Sequence, residues 1–374
     1  MNNYIRKVRH RFLQFIYPYL FDQKINRRIV VFESDDWGSI RNSSKQDYLL
    51  MKELGYKMDE RPYERYDILE SDDDVKKLSK VLSSYQDSKG NPPIFTLNYL
   101  SSNPDFEKIR KSNFQSYYFE SIACTYHKNN LSQNVIQLIK DGIDKGIFNI
   151  QFHGREHFNV IPWLKSLQQG DIDTLTAFMH NMCGIFPKDK PYLGNKYLIA
   201  LRTYSLEEEN YINQSLSEGL VLFKVLWGKD ATSFIAPCYT WSDSIEKTLN
   251  KYNIKIIQSG RIQHLSEIDS ERYIYTGKKN IYGQIYTVRN CQFEPSTSQR
   301  TDEVYSCLQE ISKAFKNKNI AIISTHRINY VGGIDERRRD INLEMLHELI
   351  TRILTIFPDV EFCSSEKLNN IILK

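Results

Sequence analysis

Disulfide spacing, membrane spans and repeats are all missing from this 374-residue chain. Its six cysteines, at 124, 183, 238, 291, 307 and 363, form no C-x-x-C and no disulfide framework, which points to free thiols in a reducing compartment. The net charge is only +4, with Lys and Arg interspersed among Asp and Glu. A nucleic-acid footprint would need a concentrated basic patch, so no nucleic-acid partner is expected. There is no internal repeat and no low-complexity tail. No apolar run is long enough to cross a bilayer.

The nearest thing to a leader is Arg6, Lys7, Arg9 and Arg11 followed by apolar residues 12–21. Pro18 interrupts that run, no small-x-small cleavage site follows, and Lys24, Arg27 and Arg28 lead straight on into the chain. Residues 1–26 are therefore expected to be a packing segment, with a weak membrane-surface contact as the second reading. The expected location is cytoplasmic, peripheral to the membrane if that contact forms.

What the chain does have is apolar material, 41% of residues, with 24 Tyr. Short runs rich in Ile, Val and Phe predict strands at Ile29–Phe32, Ile94–Leu97, Phe148–Phe152, Thr232–Ile235, Lys255–Gln258, Ile320–Ser324 and Val360–Phe362. Helical periodicity lies between them, at Leu131–Ile143, after Trp241, and at Asn342–Ile356. Alternating strands and helices imply a parallel sheet or β/α barrel over 27–374. Residues 38–92 and 158–231 exceed ordinary loops, and are expected to be insertions that cap or flank a site.

Reactive side chains then fall at predicted strand ends: Asp35 and Asp36, His153, Pro237 and His326. In β/α folds that edge is where active sites assemble. His153 and His157, four apart, are expected to face one way on a helical turn. With one of the two aspartates they make a nitrogen and oxygen set that suits Zn²⁺, with Co²⁺, Ni²⁺ and Mn²⁺ also fitting. The other aspartate would take a proton from water, and His326 would protonate a leaving group. The turn Phe234–Trp241 offers an N–H of Cys238 or Tyr239 for an oxyanion, and Tyr239 and Trp241 for stacking on a sugar.

These residues resemble the polysaccharide deacetylase (NodB-homology) superfamily. Ser34-Asp35-Asp36 is similar to its aromatic-Asp-Asp motif, and His153-Gly-Arg-Glu-His157 to its H-[S/T]-x-x-H motif. Ile235-Ala-Pro-Cys-Tyr239 and Ser-Thr-His326 fall where the family has Arg-x-Pro-x-[Gly/Tyr] and Leu-x-His. The resemblance implies a distorted (β/α) barrel of about seven strands. It implies Asp36, His153 and His157 as metal ligands, Asp35 as base and His326 as acid. The implied reaction is removal of an acetyl group from an N- or O-acetylated sugar or glycan intermediate by metal-bound water. Pro237, Cys238, Tyr239, Trp241 and Arg327 are the expected substrate contacts.

The chain also departs from that pattern. Ile235 stands where the motif Arg would orient the base, leaving Arg327 or Arg289 to replace it, and no Asp/Trp segment that braces the acid is visible. Two other functions follow from these departures: a metal-dependent amidohydrolase acting on a non-sugar amide or cyclic imide, and a non-catalytic glycan-binding barrel.

Overall fold

The computed structural model describes residues 16–189, 197–265 and 270–373. Arg6, Lys7, Arg9 and Arg11, and the start of the apolar run, lie outside the described residues. Nine strands form one parallel sheet: β1 (Ile29–Trp37), β2 (Phe95–Leu100), β3 (Phe148–Gly154), β4 (Ser233–Ile235), β5 (Ile256–Ser259), β6 (Ile285–Val288), β7 (Cys291–Gln292), β8 (Ala321–His326) and β9 (Glu361–Phe362). The order is β6-β5-β4-β3-β2-β1-β8-β7, with β9 on the free part of β1.

The sheet's two edges, β6 and β7, are separated by two residues, Arg289 and Asn290. The N–H of Arg289 donates to Ser259 of β5, whereas the N–H of Asn290 donates to Ile322 of β8. One run of chain thus pairs with one edge strand and then with the other, curling the sheet into a distorted (β/α) barrel. Counting that run once, the eight strands of the path make seven staves, as the resemblance implied.

Alternation along β1 sorts its side chains. Val30 and Phe32 pack into the outer core under the helices. Ile29 and Val31 point into the lumen with Ile256, Ile285, Ile320 and Ile322, where Leu368 and Ile372 of the C-terminal helix (Ser365–Ile372) plug the floor. A polar layer lies above that floor. Ser365 Oγ donates to Glu33 Oε1 at 2.6 Å, Asn98 and Gln258 exchange amide hydrogen bonds at 2.9 and 3.1 Å, and Gln258 Nε2 donates to Ser233 Oγ at 2.8 Å. Buried polar groups are tolerated only when paired in this way.

The described residues of the two long insertions are largely helical. The first holds helices Lys45–Glu53, Pro62–Tyr66 and Asp72–Leu82, and the second Val160–Gln168, Ile172–Met179 and Leu206–Trp227. They share a small core in which Tyr48, Met51 and Met58 meet Ala177, Met182 and Ile185. This places a roof over the C-terminal mouth of the barrel.

Candidate metal centre

Both aspartates reach that mouth because β1 breaks register against β2 between Ser34 and Trp37. A bulge of this kind interrupts the in-out alternation that would send adjacent side chains to opposite faces. Asp36 takes the left-handed backbone conformation, with φ of 74°, which Asp tolerates better than most residues.

Asp36 Oδ1 lies 3.3 Å from His153 Nε2 and 3.0 Å from His157 Nε2. One donor atom from each of the three residues falls within 4.8 Å of the others. His153 Nδ1 is 2.9 Å from the carbonyl oxygen of Ile235. A carbonyl only accepts, so Nδ1 carries the hydrogen and Nε2 is left with its lone pair facing Asp36. The donor set therefore fits a divalent cation.

The histidines do not converge by way of a helix. His153 ends β3 and His157 lies in the bend beyond it, before the helix that starts at Val160. Gly154 makes the turn at φ of 122°, a conformation open to glycine.

Asp35 is held from three sides. Arg289 Nη1 and Nη2 donate to its two oxygens at 2.7 and 2.6 Å, and Asn98 Nδ2 donates to Oδ1 at 2.7 Å. Burial alone would raise its pKa, yet the Arg289 charge and hydrogen bonds lower it to about 2. Arg289 also donates from Nε to Glu33 Oε2 at 2.8 Å, one guanidinium bridging two buried carboxylates. Of the two arginines offered for the missing motif residue, Arg289 is the one on Asp35.

His326, at the end of β8, faces Asp35 with Nε2 at 3.7 Å from Oδ2. Its Nδ1 is 2.5 Å from Glu294 Oε1. Burial opposes the imidazolium, but Glu294 overrides it and raises the pKa to about 10. Glu294 is itself fixed by Asn329 Nδ2 at 2.8 Å. Arg289 and Glu294 both follow Ile285–Val288, a strand that sequence reading passed over; Arg289 was offered all the same, while Glu294 was missed and searching beyond that strand's C-terminal end would have found it.

Four expectations at the turn and beyond are corrected. Trp241 is fully buried, with Nε1 donating to Glu246 at 3.0 Å, so it packs below the surface and stacks on no ligand. Pro237 is also buried and fixes the turn from beneath. The Tyr239 N–H is spent on Ala236 O at 3.0 Å, leaving that of Cys238 as the oxyanion candidate. Arg327 is fully buried, bonded to Asp67, Glu70 and the Ser39 carbonyl, and ties the first insertion to β8. Cys238 and the Tyr239 ring do line the cavity over Asp36, His153 and His157, with Tyr63, Arg41, Phe186 and Leu198.

No family model matches the chain, and neither does any curated protein sequence. Solved structures do resemble it. A glycoside hydrolase/deacetylase candidate from Parabacteroides distasonis superposes with a TM-score of 0.51 at 8% identity, over 93% of this chain and 72% of that one. A polysaccharide deacetylase candidate from Mycobacterium smegmatis gives 0.43 at 11% identity, over 94% and 92%. An allantoinase gives 0.45 at 10% identity, over 95% and 92%. At such identities the likeness is one of fold.

Proposed function

We propose that the chain is a metal-dependent hydrolase that removes an acetyl group from an N- or O-acetylated sugar or glycan intermediate. The observation that carries this reading is the convergence of Asp36 with Nε2 of His153 and His157, beside the facing pair Asp35 and His326. Asp36, His153 and His157 would hold a divalent cation, with Zn²⁺ the first choice for this donor set. When bound, the cation makes water a stronger acid and polarises the acyl carbonyl.

The chain's own residues do the rest. Asp35 is held ionised by Arg289, so it is free to accept a proton at an oxygen. A carboxylate this weakly basic can act only on an acidified water, which is why base and metal ligands belong side by side. His326 keeps its proton at neutral pH because Glu294 holds it. Water oxygen bonds to the acyl carbon, the carbon–nitrogen or carbon–oxygen bond breaks, and His326 Nε2 gives its proton to the departing atom. The products are acetate and a free amine or alcohol. The Cys238 N–H, and the Tyr63 and Tyr239 rings on the cavity wall, position the acyl group.

The test has two arms. Elemental analysis of purified protein is expected to find one transition ion per chain, lost in His153→Ala. Acetate release from acetylated amino sugars with added Zn²⁺ or Co²⁺ is expected to fall roughly 10²–10⁴-fold in Asp35→Asn. A metal-free protein with wild-type ligands, or full activity in Asp35→Asn, overturns the reading.

A further inference from the structure

Three segments meet at the floor of the barrel, opposite the mouth. The N–H of Gln23, ahead of β1, donates to the Thr276 carbonyl at 2.8 Å. A Cβ placed on Gly277 would lie 3.0 Å from Gln23 Cβ and 3.7 Å from Ile372 Cγ2 of the C-terminal helix. The N–H of Ile25 donates at 2.7 Å to the carbonyl of Lys318, just ahead of β8. The junction therefore lies where strands begin, whereas His153 and His326 lie where strands end.

Apolar side chains stand in water around this junction. Tyr19, Leu20 and Phe21 are 68, 60 and 48% exposed, Ile281 is 88% and Leu373 is 53%. Exposed apolar residues scattered singly are ordinary, but these lie within four residues of Gln23, Gly277 or Ile372. The first three are held by the fold: the Phe21 ring packs on Tyr275 at 5.7 Å, and the Pro18 carbonyl accepts from Asn319 Nδ2 at 3.2 Å. The charge beside them is positive on balance. Lys279 and Lys318 are exposed. Asp22 is buried and bonded to Arg261 and Asn319, while Asp359 and Glu361 are answered by Arg28 and Arg27. Ahead of Asp22 the sequence holds Arg6, Lys7, Arg9 and Arg11 and no Asp or Glu.

We propose that the barrel floor is a docking face for an anionic phospholipid surface. Tyrosine and aliphatic side chains settle at the headgroup level, and basic residues beside them are drawn to anionic headgroups. The apolar residues 12–21 are too few to span a bilayer, so the contact lies on the surface. A second copy of the chain would set like charges against each other, whereas an anionic lipid surface answers them. The mouth, with Asp36, His153 and His157, then faces away from the lipid, and substrate reaches it from the aqueous side. None of this depends on the hydrolase reading above.

The probes are sedimented vesicles of phosphatidylcholine, alone or with about 30% phosphatidylserine. Full-length wild type is expected to bind the mixed vesicles at least tenfold more tightly than the neutral ones. Raising salt from about 0.05 to about 0.5 M is expected to remove most of that preference. Leu20→Glu and Ile281→Asp change exposed positions on two different segments, and each is expected to weaken binding at least fivefold with an unchanged thermal midpoint. Equal binding to both vesicle types, or binding to neither, overturns the proposal. Weakening by Leu20→Glu with none by Ile281→Asp overturns the floor as the docking face and leaves the N-terminal segment acting alone. A wild-type dimer in sedimentation equilibrium without vesicles, dissociated by Leu20→Glu, assigns the face to a second copy and overturns the proposal as well.

Discussion

Asp35 and His326 face each other across 3.7 Å, and each has its charge set by a neighbour outside the pair. Glu294 is the more direct to test, because its Oε1 is the partner of His326 Nδ1. With Glu294→Gln the charge that overrides burial is gone, and the imidazole falls from about 10 toward the ordinary value of ~6.5 or below. The alkaline limb of kcat/KM should then move down in pH, and a limb that coincides with wild type would remove His326 from the role of acid. The same shift sets a stability term. A raised folded-state pKa means the stabilisation is complete below ~6.5 and is lost as pH rises toward 10. Wild type should therefore lose more stability than Glu294→Gln across that window in urea titrations. Arg289→Lys keeps a charge but not the fork that serves Asp35 and Glu33 together. A loss of roughly 10–100-fold in kcat/KM is expected, with metal content unchanged.

The split between β6 and β7 is the least regular element and the one sequence reading missed. Apolar runs revealed the other strands, because a fully buried parallel strand needs Ile, Val and Phe on both faces. Those strands also ran past their predicted ends, as β1 did from Phe32 to Trp37 and β8 from Ser324 to His326. Apart from Trp37 the extra residues are polar, and hydrogen bonds around the site pair Glu33, Asp35 and His326 among them, which no hydropathy pattern shows. Ile285–Val288 is short and its continuation, Arg-Asn-Cys-Gln, reads as loop. That continuation nonetheless closes the barrel. Asn290 Nδ2 donates to the Ile320 carbonyl at 2.8 Å, and Asn290 Oδ1 accepts from the Ile322 N–H at 2.9 Å. The side chain thus does for β8 what a strand backbone would do. Asn290→Ala strands a backbone donor and an acceptor and is expected to cost about 1–3 kcal/mol. A urea midpoint shift with unchanged slope would record it, and a midpoint equal to wild type would show that water repairs the seam.

At the scale of the molecule the question is what holds the roof over the barrel. Asp35, Asp36, His153 and His326 were legible as strand-end residues, but the anchoring of the insertions was not, since it depends on buried charges that are distant in sequence. Arg327 donates to Asp67 Oδ1 at 2.8 Å, to Glu70 Oε2 at 2.9 Å and to the Ser39 carbonyl at 2.7 Å. Glu70 in turn accepts from the Gly38 N–H at 3.0 Å, from Tyr99 at 3.3 Å and from Tyr126. Asp67 and Glu70 follow the helix that carries Tyr63, so the web fixes a wall of the cavity over Asp36, His153 and His157. Taking away the cation leaves Glu70 as a buried carboxylate that has lost its Arg327 partner and Asp67 with Arg41 at 3.2 Å, and a buried charge stripped of its partner costs far more than the pair contributes. Arg327→Met is expected to lose about 3–5 kcal/mol in denaturant unfolding. Adding Asp67→Asn and Glu70→Gln removes the stranded charges and should recover much of that loss. If the triple variant is no more stable than Arg327→Met, packing of the guanidinium rather than its charge secures the roof.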